Sequence, residues 1–236
     1  MQRYFAINKY LELNEDDRYH LLKVMRMKPN DMIEIIFDSQ TYLCRIEHIN
    51  NYDVKISVVE EIKEIKKIDY EVSIAIGLLK ESKLDLVIQK ATELGVNKIY
   101  PIVMERSIIK LTKDKEPKKK ERWLKIAKEA SEQSGRINMP IINDIKEVKD
   151  LINLDYDLKI VCIPDEKALK IKEVLSKCKK CDRILIVIGP EGGLTKSEEK
   201  ILTDNKFFKV TLGNLILRTE TAPIYALSVV NYEFMR

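Results

Sequence analysis

From residue 71 onwards, the chain alternates between apolar runs of strand length and segments with the spacing of amphipathic helices. The apolar runs are residues 72–79, 99–104, 158–163, 183–188 and 207–212, and the helix patterns are residues 83–94, 121–134 and 197–205. Gly95 and Gly135 follow the first two helix patterns, at the position where a left-handed residue commonly ends a helix. Thr195 and Glu198 form a capping-box pattern at the third. This alternation predicts an α/β domain with a mainly parallel sheet covered on both faces.

The first 70 residues follow another pattern. Residues 32–37, 41–48 and 53–60 are rich in Ile, Val and Tyr and are separated by polar residues, which predicts short strands. The segment 15–27 ends before Pro29 and predicts a short helix, whereas the charged stretch 60–69 is either a linker or a final strand. We therefore predict a small β-rich domain over residues 1–70 and the α/β domain over residues 71–236.

Composition limits the setting in which the chain works. No segment approaches the roughly 20 apolar residues that cross a bilayer, and residues 1–10 lack the apolar core of a secretory signal. The four cysteines are few and scattered, as is usual where thiols stay reduced. Cys178 and Cys181 have the spacing of half a zinc site, but no second pair accompanies them. We expect a cytoplasmic protein that has no membrane partner and no metal, with a solvated lysine-rich turn at 178–181.

Basic side chains are concentrated in one segment. The net charge is only +4, and residues 1–70 hold 11 basic and 13 acidic side chains, whereas residues 106–136 hold 11 basic and 5 acidic ones. Clustered Lys and Arg attract phosphates, so the segment is a candidate RNA-facing surface. A solvated loop and helix face would have the same composition, and charge alone leaves both interpretations open.

Glycine is rare in this chain and is concentrated near its end. Of the seven glycines, none precedes Gly77, and four lie within residues 189–213. The loop 189–193 directly follows one predicted strand and Gly213 directly follows another, which indicates a ligand site at the carboxyl ends of strands rather than two ordinary turns. Neither the phosphate-loop motif nor the dinucleotide turn is present. Glycine amides beside aliphatic residues suit an adenine face without phosphates; the aliphatic residues are Leu194, Leu212, Leu215, Ile216 and Leu217.

Two strings, residues 188–193 and 212–222, resemble the paired motifs of the trefoil-knotted (SPOUT) methyltransferases, in the version carried by the RsmE family of 16S ribosomal RNA uridine N3-methyltransferases. Residues 90–96, 106–107, 122–123 and 129–136 resemble the middle motifs of that family in the same order. Residues 20–26, followed by Asn30 and Asp31, resemble its PUA-like module. Asn30 stands where glycine is usual, and asparagine tolerates the left-handed conformation that the turn needs. The resemblance covers essentially the full chain.

The resemblance implies a C-terminal trefoil-knotted SPOUT domain and a small N-terminal β-barrel PUA-like domain that helps to grip RNA. It also implies a homodimer, S-adenosylmethionine as the cofactor, and ribosomal RNA of the small subunit as the partner. The cofactor-binding residues that we expect are Leu78, Ile163, Pro164, Gly189, Pro190, Glu191, Gly192, Gly193, Leu212, Gly213, Leu215, Ile216, Leu217 and Thr221.

Methylation at uridine N3 requires that the N3 proton leaves and that charge on the ring is stabilised. Arg218 is a candidate for binding a uracil oxygen or a phosphate, and Glu220 or Glu191 for accepting the proton. Arg218 could instead form a structural ion pair with Glu220, and Glu191 could be only a hydrogen-bond acceptor within its loop. Which carboxylate removes the proton is left open.

The candidate RNA-binding residues are Arg3, His20, Arg26, Arg106, Arg122 and Arg136. Trp123 could stack on a base, but its helical spacing with Ile126 and Ala127 favours packing in a core. Two other functions stay open: methylation of another RNA such as transfer RNA, and a non-catalytic RNA-binding assembly factor.

Overall fold

The computed structural model describes residues 1–51, 53–62, 70–109, 116–178 and 181–234. The chain divides into two compact units: one comprises Met1–Lys67 with Ser131–Asn138, and the other comprises Ile68–Ala130 with Met139–Arg236. The segment 131–138 thus belongs to the first unit, although it is distant from it in sequence. The predicted linker or strand at 60–69 lies largely outside the described residues.

The first unit is built on a four-stranded sheet. Its strands are β1 (Gln2–Phe5), β2 (Met32–Phe37), β3 (Gln40–Asn50) and β4 (Asp53–Ile62), in the order β1-β2-β3-β4. The pairs β2–β3 and β3–β4 are antiparallel, whereas β1 pairs with β2 in parallel. The predicted small β-rich N-terminal domain is confirmed, and its sheet is mostly antiparallel. Within the described residues, β1 and β4 are the two ends of the strand order, so the sheet forms an open path.

The predicted N-terminal helix is shorter than expected and changes type along its length. Helix α1 (Glu15–Tyr19) begins at Asn14, whose side chain accepts a hydrogen bond from the amide of Asp17, and it continues as a π-helical turn over His20–Val24. Asn30 has φ 75°, so the left-handed turn predicted there is confirmed. The apolar core of this unit includes Tyr4, Leu21 and Ile33.

The second unit contains a larger sheet in which every strand pair is parallel. Its strands are β5 (Glu71–Gly77), β6 (Lys98–Val103), β7 (Ile141–Ile142), β8 (Lys146–Glu147), β9 (Leu158–Cys162), β10 (Leu169–Lys170), β11 (Arg183–Ile188) and β12 (Phe208–Thr211). The order is β10-β12-β9-β11-β5-β6-β7, and β8 also pairs with β6. The predicted parallel sheet is confirmed.

Helices flank this sheet, and their bounds are α2 (Glu81–Glu93), α3 (Glu116–Ser134), α4 (Ile171–Leu175), α5 (Lys196–Asp204) and α6 (Thr221–Phe234), with a 3-10 turn at Val148–Leu151. Gly95 and Gly135, after α2 and α3, have φ of 86° and 74°, so both predicted left-handed helix ends are confirmed. The capping box of Thr195 and Glu198 at α5 is also confirmed. None of the described helices is long and apolar enough to span a membrane.

The sheet is buried on both faces, as predicted for a parallel sheet. In β11, Ile184 and Ile186 belong to one core cluster, and Leu185 and Val187 belong to another. Trp123 is 2% exposed and packs in the first cluster, which confirms the packing interpretation of this tryptophan. The trefoil knot concerns how the chain threads through itself, and it stays a prediction.

Candidate active site

Four neighbouring strands of the large sheet, β12, β9, β11 and β5, have their carboxyl ends on one edge because all of them run in parallel. Ligands of open α/β sheets bind at such an edge. The segments that leave the four strands there start at residues 212, 163, 189 and 78. The two glycine-containing loops predicted from the sequence follow β11 and β12, which are the two neighbours of β9. The segment that follows β9 therefore starts between them.

Gly77 ends β5 in close contact with the loop that follows β11. A Cβ atom at Gly77 would lie 2.6 Å from the backbone nitrogen of Pro190. Backbone cannot move aside as a flexible side chain can, so a residue without Cβ is needed for this close approach. The start of the Gly189–Gly193 loop is thereby packed against the end of a neighbouring strand.

The middle of the same loop is held by Arg106. Its guanidinium Nη1 donates hydrogen bonds to the carbonyl oxygens of Gly192 at 3.1 Å and of Leu194 at 3.4 Å. A Cβ atom at Gly192 would lie 2.9 Å from the Cβ of Arg106. Arg106 therefore both bonds to the loop and packs against it.

Glu198 secures the end of the loop. Its Oε2 accepts a hydrogen bond from the backbone amide of Thr195 at 2.8 Å, and its Oε1 accepts one from the amide of Glu105 at 2.8 Å. Glu198 is 7% exposed, and a buried carboxylate of this kind needs such donors. The capping box thus links α5 to the residue that precedes Arg106.

The second loop runs from β12 to α6. The hydroxyl of Thr211 donates to the carbonyl oxygen of Gly213 at 2.9 Å, which turns the chain at the end of the strand. Leu215 and Ile216 are 82% and 85% exposed. The carbonyl oxygen of Arg218 then accepts hydrogen bonds from the amides that begin α6.

These loops enclose a cleft of about 630 Å³. It is lined by Arg106, Cys162, Ile163, Pro164, Asp165, Ile188, Gly189, Pro190, Glu191, Gly192, Gly193, Leu194, Lys196, Glu199, Thr211, Leu212, Leu215, Ile216, Leu217, Thr219 and Ala222. This volume is within the usual range for small-molecule sites, and mixed aliphatic walls with few polar groups are typical of them.

A lysine that was not predicted from the sequence contacts two carboxylates beside the cleft. The Nζ of Lys83 lies 3.2 Å from Oε1 of Glu191 and 3.3 Å from Oε2 of Glu220. The pKa of Lys83 is raised, first by Glu191 and then by Glu220. The pKa of the Glu220 carboxyl is lowered, first by a hydrogen bond from its own backbone amide and further by Lys83. Lys83 and Glu220 are therefore both charged at neutral pH.

Comparison with known proteins identifies the family. The sequence profile of the RNA methyltransferase domain matches residues 66–231, and that of the RNA methyltransferase PUA domain matches residues 13–59. A ribosomal RNA small subunit methyltransferase E from Bacillus subtilis (strain 168) is 38% identical, over 99% of this chain and 97% of the relative. The chain belongs to the ribosomal RNA small subunit methyltransferase E family. The resemblance based on the sequence motifs is thereby confirmed.

Solved structures agree with this membership in the methyltransferase E family. A ribosomal RNA small subunit methyltransferase E from Neisseria gonorrhoeae, bound to S-adenosyl methionine, is 26% identical with a TM-score of 0.87 and covers 98% of this chain and 97% of its own. A Legionella pneumophila protein in complex with the bound cofactor SAM is 27% identical with a TM-score of 0.91, at the same coverage.

Most cofactor-binding residues expected of a methyltransferase E member line the cleft: Ile163, Pro164, Gly189, Pro190, Glu191, Gly192, Gly193, Leu212, Leu215, Ile216 and Leu217. Three expected residues do not line it. Leu78 is 1% exposed within the apolar core, Gly213 lies in the second loop with φ 142°, and Thr221 is the first residue of α6. The cleft also contains a polar end with Asp165, which pairs with Lys209 at 2.7 Å. Asp165 was not predicted as a residue of the cleft, although its position just after β9 could have indicated it.

The predicted catalytic residues of this methyltransferase E member lie together at the two loops. Glu191 lines the cleft, and Lys83 contacts both Glu191 and Glu220. Arg218 is exposed, and within the described residues its guanidinium makes no hydrogen bond or ion pair at contact distance. The alternative of a structural ion pair between Arg218 and Glu220 is therefore not realised as a direct contact. Their catalytic roles stay predictions.

The predicted RNA-binding arginines occupy several different environments. Arg3 pairs with Glu34 at 2.6 Å and donates to the carbonyl of Gly135 at 2.7 Å. Arg26 is exposed, with φ 53°. Arg136 donates to the carbonyl of Asn138, and burial lowers its pKa to about 10.

The remaining RNA candidates also make contacts within the protein. The Nδ1 of His20 lies 3.0 Å from the hydroxyl of Tyr4. Arg122 contacts Asp85 through two nitrogens, at 2.6 Å and 3.1 Å, and Arg106 contacts the loop described above. Roles in RNA binding stay predictions for all six residues.

The basic segment 106–136 is partly neutralised by acidic neighbours. Lys119 pairs with Glu81, and Lys120 pairs with Asp144. Part of the segment, residues 110–115, lies outside the described residues. Cys178 and Cys181 lie with their sulfur atoms in contact, and among the residues that the structure describes there is no group of three or more His, Cys, Asp or Glu that could hold a metal ion.

Proposed function

We propose that this chain transfers the methyl group of S-adenosylmethionine to N3 of a uridine in small-subunit (16S) ribosomal RNA. The observation that carries the proposal is the cleft formed by the segments that follow β9, β11 and β12 in a member of the methyltransferase E family. Relatives of the same fold that align over nearly the whole chain bind S-adenosyl methionine. The RNA substrate follows from the function named for the curated relatives.

The residues of the cleft fit this cofactor. Aliphatic side chains such as Ile163 and Leu217 provide walls for an adenine face, and backbone amides of the loop 189–193 provide donors. Glu191 also lines the cleft, and its Oε2 is buried without a hydrogen-bond partner among the described residues, which leaves an unsatisfied acceptor at this wall. When bound, S-adenosylmethionine supplies an electrophilic methyl group on a positively charged sulfur and leaves as a neutral thioether.

The protein must remove the proton that uracil carries on N3. A carboxylate at the cleft wall is suited to accept it, because the acidity of N3–H increases as the new bond forms. Oε2 of Glu191 accepts no hydrogen bond from the residues that the structure describes, and Glu220 is ionised at neutral pH. We assign proton acceptance to this pair of carboxylates.

Arg218 is suited to stabilise the negative charge that develops on the uracil oxygens. Its guanidinium is permanently charged. Its two neighbours in the chain, Leu217 and Thr219, line the cleft. It is exposed and so is available to an RNA ligand. Because base pairing hides N3, the target uridine must be unpaired or flipped out of a helix.

A methyl-transfer assay tests the proposal. The purified protein is incubated with S-adenosylmethionine carrying a labelled methyl group and with 16S ribosomal RNA, small subunits or transfer RNA, and the nucleosides are then identified by mass spectrometry. We expect N3-methyluridine in the ribosomal samples only. Label in transfer RNA would redirect the substrate, and binding of S-adenosylhomocysteine without transfer to any RNA would favour a non-catalytic assembly factor.

We further propose that the protein works as a homodimer in the cytoplasm, where ribosomal RNA is found. Exposed apolar side chains on the second loop and α6 support a self-association surface: Leu215, Ile216, Tyr225 and Tyr232 are 82%, 85%, 42% and 85% exposed. Tyr225 and Tyr232 are seven residues apart and so lie on the same face of the helix. Sedimentation equilibrium is expected to give twice the monomer mass, and replacing Tyr232 by Glu is expected to reduce it.

A further inference from the structure

Lys83 lies where two loops of the cleft meet. It belongs to the first turn of α2, and this helix follows β5, the strand next to β11. Glu191 belongs to the loop after β11, and Glu220 to the loop before α6. One ammonium group therefore contacts carboxylates from two separate segments of the chain, at 3.2 Å and 3.3 Å.

These three side chains are largely enclosed. The side chains of Lys83, Glu191 and Glu220 are 33%, 22% and 14% exposed. Among the described residues, one oxygen of each carboxylate, Oε2 of Glu191 and Oε2 of Glu220, is buried and makes no hydrogen bond. Oε2 of Glu220 is the oxygen that forms the ion pair with Lys83. Two partly buried carboxylates that lie close together repel each other, and an ammonium between them offsets that repulsion.

Among the described residues, Lys83 is the cation that contacts both carboxylates directly. On the same helix, Glu81 pairs with Lys119, and Asp85 pairs with Arg122. Arg218 acts on Glu220 only as a longer-range charge. Arg106, which also lines the cleft, is bonded to backbone carbonyl oxygens.

We propose that Lys83 is a positioning residue of the active site, which holds the carboxylates of Glu191 and Glu220 together and keeps both of them ionised until one accepts the uracil N3 proton. The proton leaves N3 and ends on a carboxylate oxygen, Lys83 keeps its three protons, and the charge of the three side chains changes from −1 to neutral. Lys83 then stays paired with the carboxylate that is still ionised. This inference rests on the proposed function for its catalytic consequence, but not for its electrostatic one.

The electrostatic consequence can be measured without any substrate. Protein labelled with ¹³C at the glutamate carboxyl carbons is titrated by NMR, and Glu191→Gln and Glu220→Gln variants assign the two signals. In Lys83→Met, we expect the higher of the two carboxyl pKa values to rise by about one pH unit or more, because an opposite charge at this distance has been lost. Lys83→Arg is expected to restore the wild-type titration.

Lys80→Met is the matched control. Lys80 precedes α2, is exposed, and makes no ion pair with the described residues, so the variant removes the same charge from the same end of the helix. We expect it to leave both carboxyl titrations unchanged. Lys83→Gln is a second variant that removes the charge of Lys83. The inference is wrong if Lys83→Met leaves both carboxyl titrations unchanged while Lys83→Met and Lys83→Gln keep the wild-type melting temperature.

The catalytic consequence is measured as the pH dependence of methyl transfer. A carboxylate must be ionised to accept a proton, so a raised pKa moves the acid limb of the profile of kcat to higher pH. We expect this shift in Lys83→Met, with kcat lowered most on the acid side of the profile, an unchanged KM for RNA, and recovery in Lys83→Arg. An effect on KM alone would overturn the positioning role. If the wild-type protein methylates no RNA, the proposed function fails, and the NMR titration still decides the electrostatic role of Lys83.

Discussion

Arg106 donates a hydrogen bond to the carbonyl oxygen of Gly192 at 3.1 Å, across 86 positions of the chain. The sequence analysis proposed Arg106, the first residue of the basic segment 106–136, as a candidate for RNA binding. In the structure it lies at the cleft and fastens the glycine loop that forms one wall. A residue at this position affects the shape of the ligand site, whether or not it also contacts a phosphate.

Replacing Arg106 by Ala is expected to weaken binding of S-adenosylhomocysteine about tenfold, because hydrogen bonds from a charged donor contribute roughly 1.5 kcal/mol and 1.4 kcal/mol corresponds to a factor of ten. The loss of two bonds to Gly192 and Leu194 leaves the loop less ordered before the ligand arrives. Isothermal titration calorimetry measures the effect. Arg26→Ala is the control, since Arg26 lies in the other compact unit. Unchanged affinity in Arg106→Ala would leave only the RNA role.

The fold could be predicted from the sequence where local patterns are strong. The run 183–188 was predicted with the bounds that the structure shows, because five consecutive aliphatic residues after Arg183, three of them Ile and one Val, have the length and the β-branched content of a buried strand. Helix α6 was not predicted. Its residues are apolar on most sides, so it lacks the polar face that reveals a helix, and Pro223 is tolerated only because it lies in the first turn. Strand β1 was also missed, because only four residues form it and its partner β2 is distant in sequence.

The candidate site was predictable to the extent that it consists of loops. Glycine-containing turns after strands mark the ends of β11 and β12, and the cleft lies there. Lys83 could not be found in the same way, because its contacts with Glu191 and Glu220 depend on β5 being the neighbour of β11. Strand order is set by contacts between distant segments, and a local pattern does not contain it.

Glu198 is expected to be important for stability. In Glu198→Ala, the buried amide of Thr195 and the amide of Glu105 lose their acceptor, and we expect the free energy of unfolding to decrease by about 1–3 kcal/mol, the usual cost of leaving a buried polar group unpaired. Urea denaturation followed by circular dichroism measures this. In the control Lys200→Ala, only an exposed pair with Asp204 is lost, which is worth about 0.3–0.5 kcal/mol. Equal effects of the two substitutions would show that the buried carboxylate has no special role.

Arg218→Ala is expected to abolish methyl transfer and to leave the fold intact. The side chain is exposed, so its removal should change the free energy of unfolding by no more than about 0.5 kcal/mol. Single-turnover transfer to ribosomal RNA and thermal melting are measured on the same samples. Arg218→Lys retains the charge but not the planar fork, and we expect it to recover only part of the rate. Turnover near the wild-type level in Arg218→Ala would remove this arginine from the site.

The two buried free cysteines, Cys44 and Cys162, are expected to be unreactive in the folded protein. Burial raises the pKa of the Cys44 thiol to about 11 and that of Cys162 to about 12, and the thiolate is the reactive form. In a Cys178→Ser, Cys181→Ser background, Ellman's reagent at pH 8 should therefore label neither thiol until the chain unfolds. Because Cys162 also lines the cleft, S-adenosylhomocysteine should slow its labelling further in low urea. Cys44 belongs to the other compact unit, so its labelling should not depend on the ligand unless both units unfold together. Fast labelling of Cys162 in native buffer would show that the floor of the cleft is open to solvent.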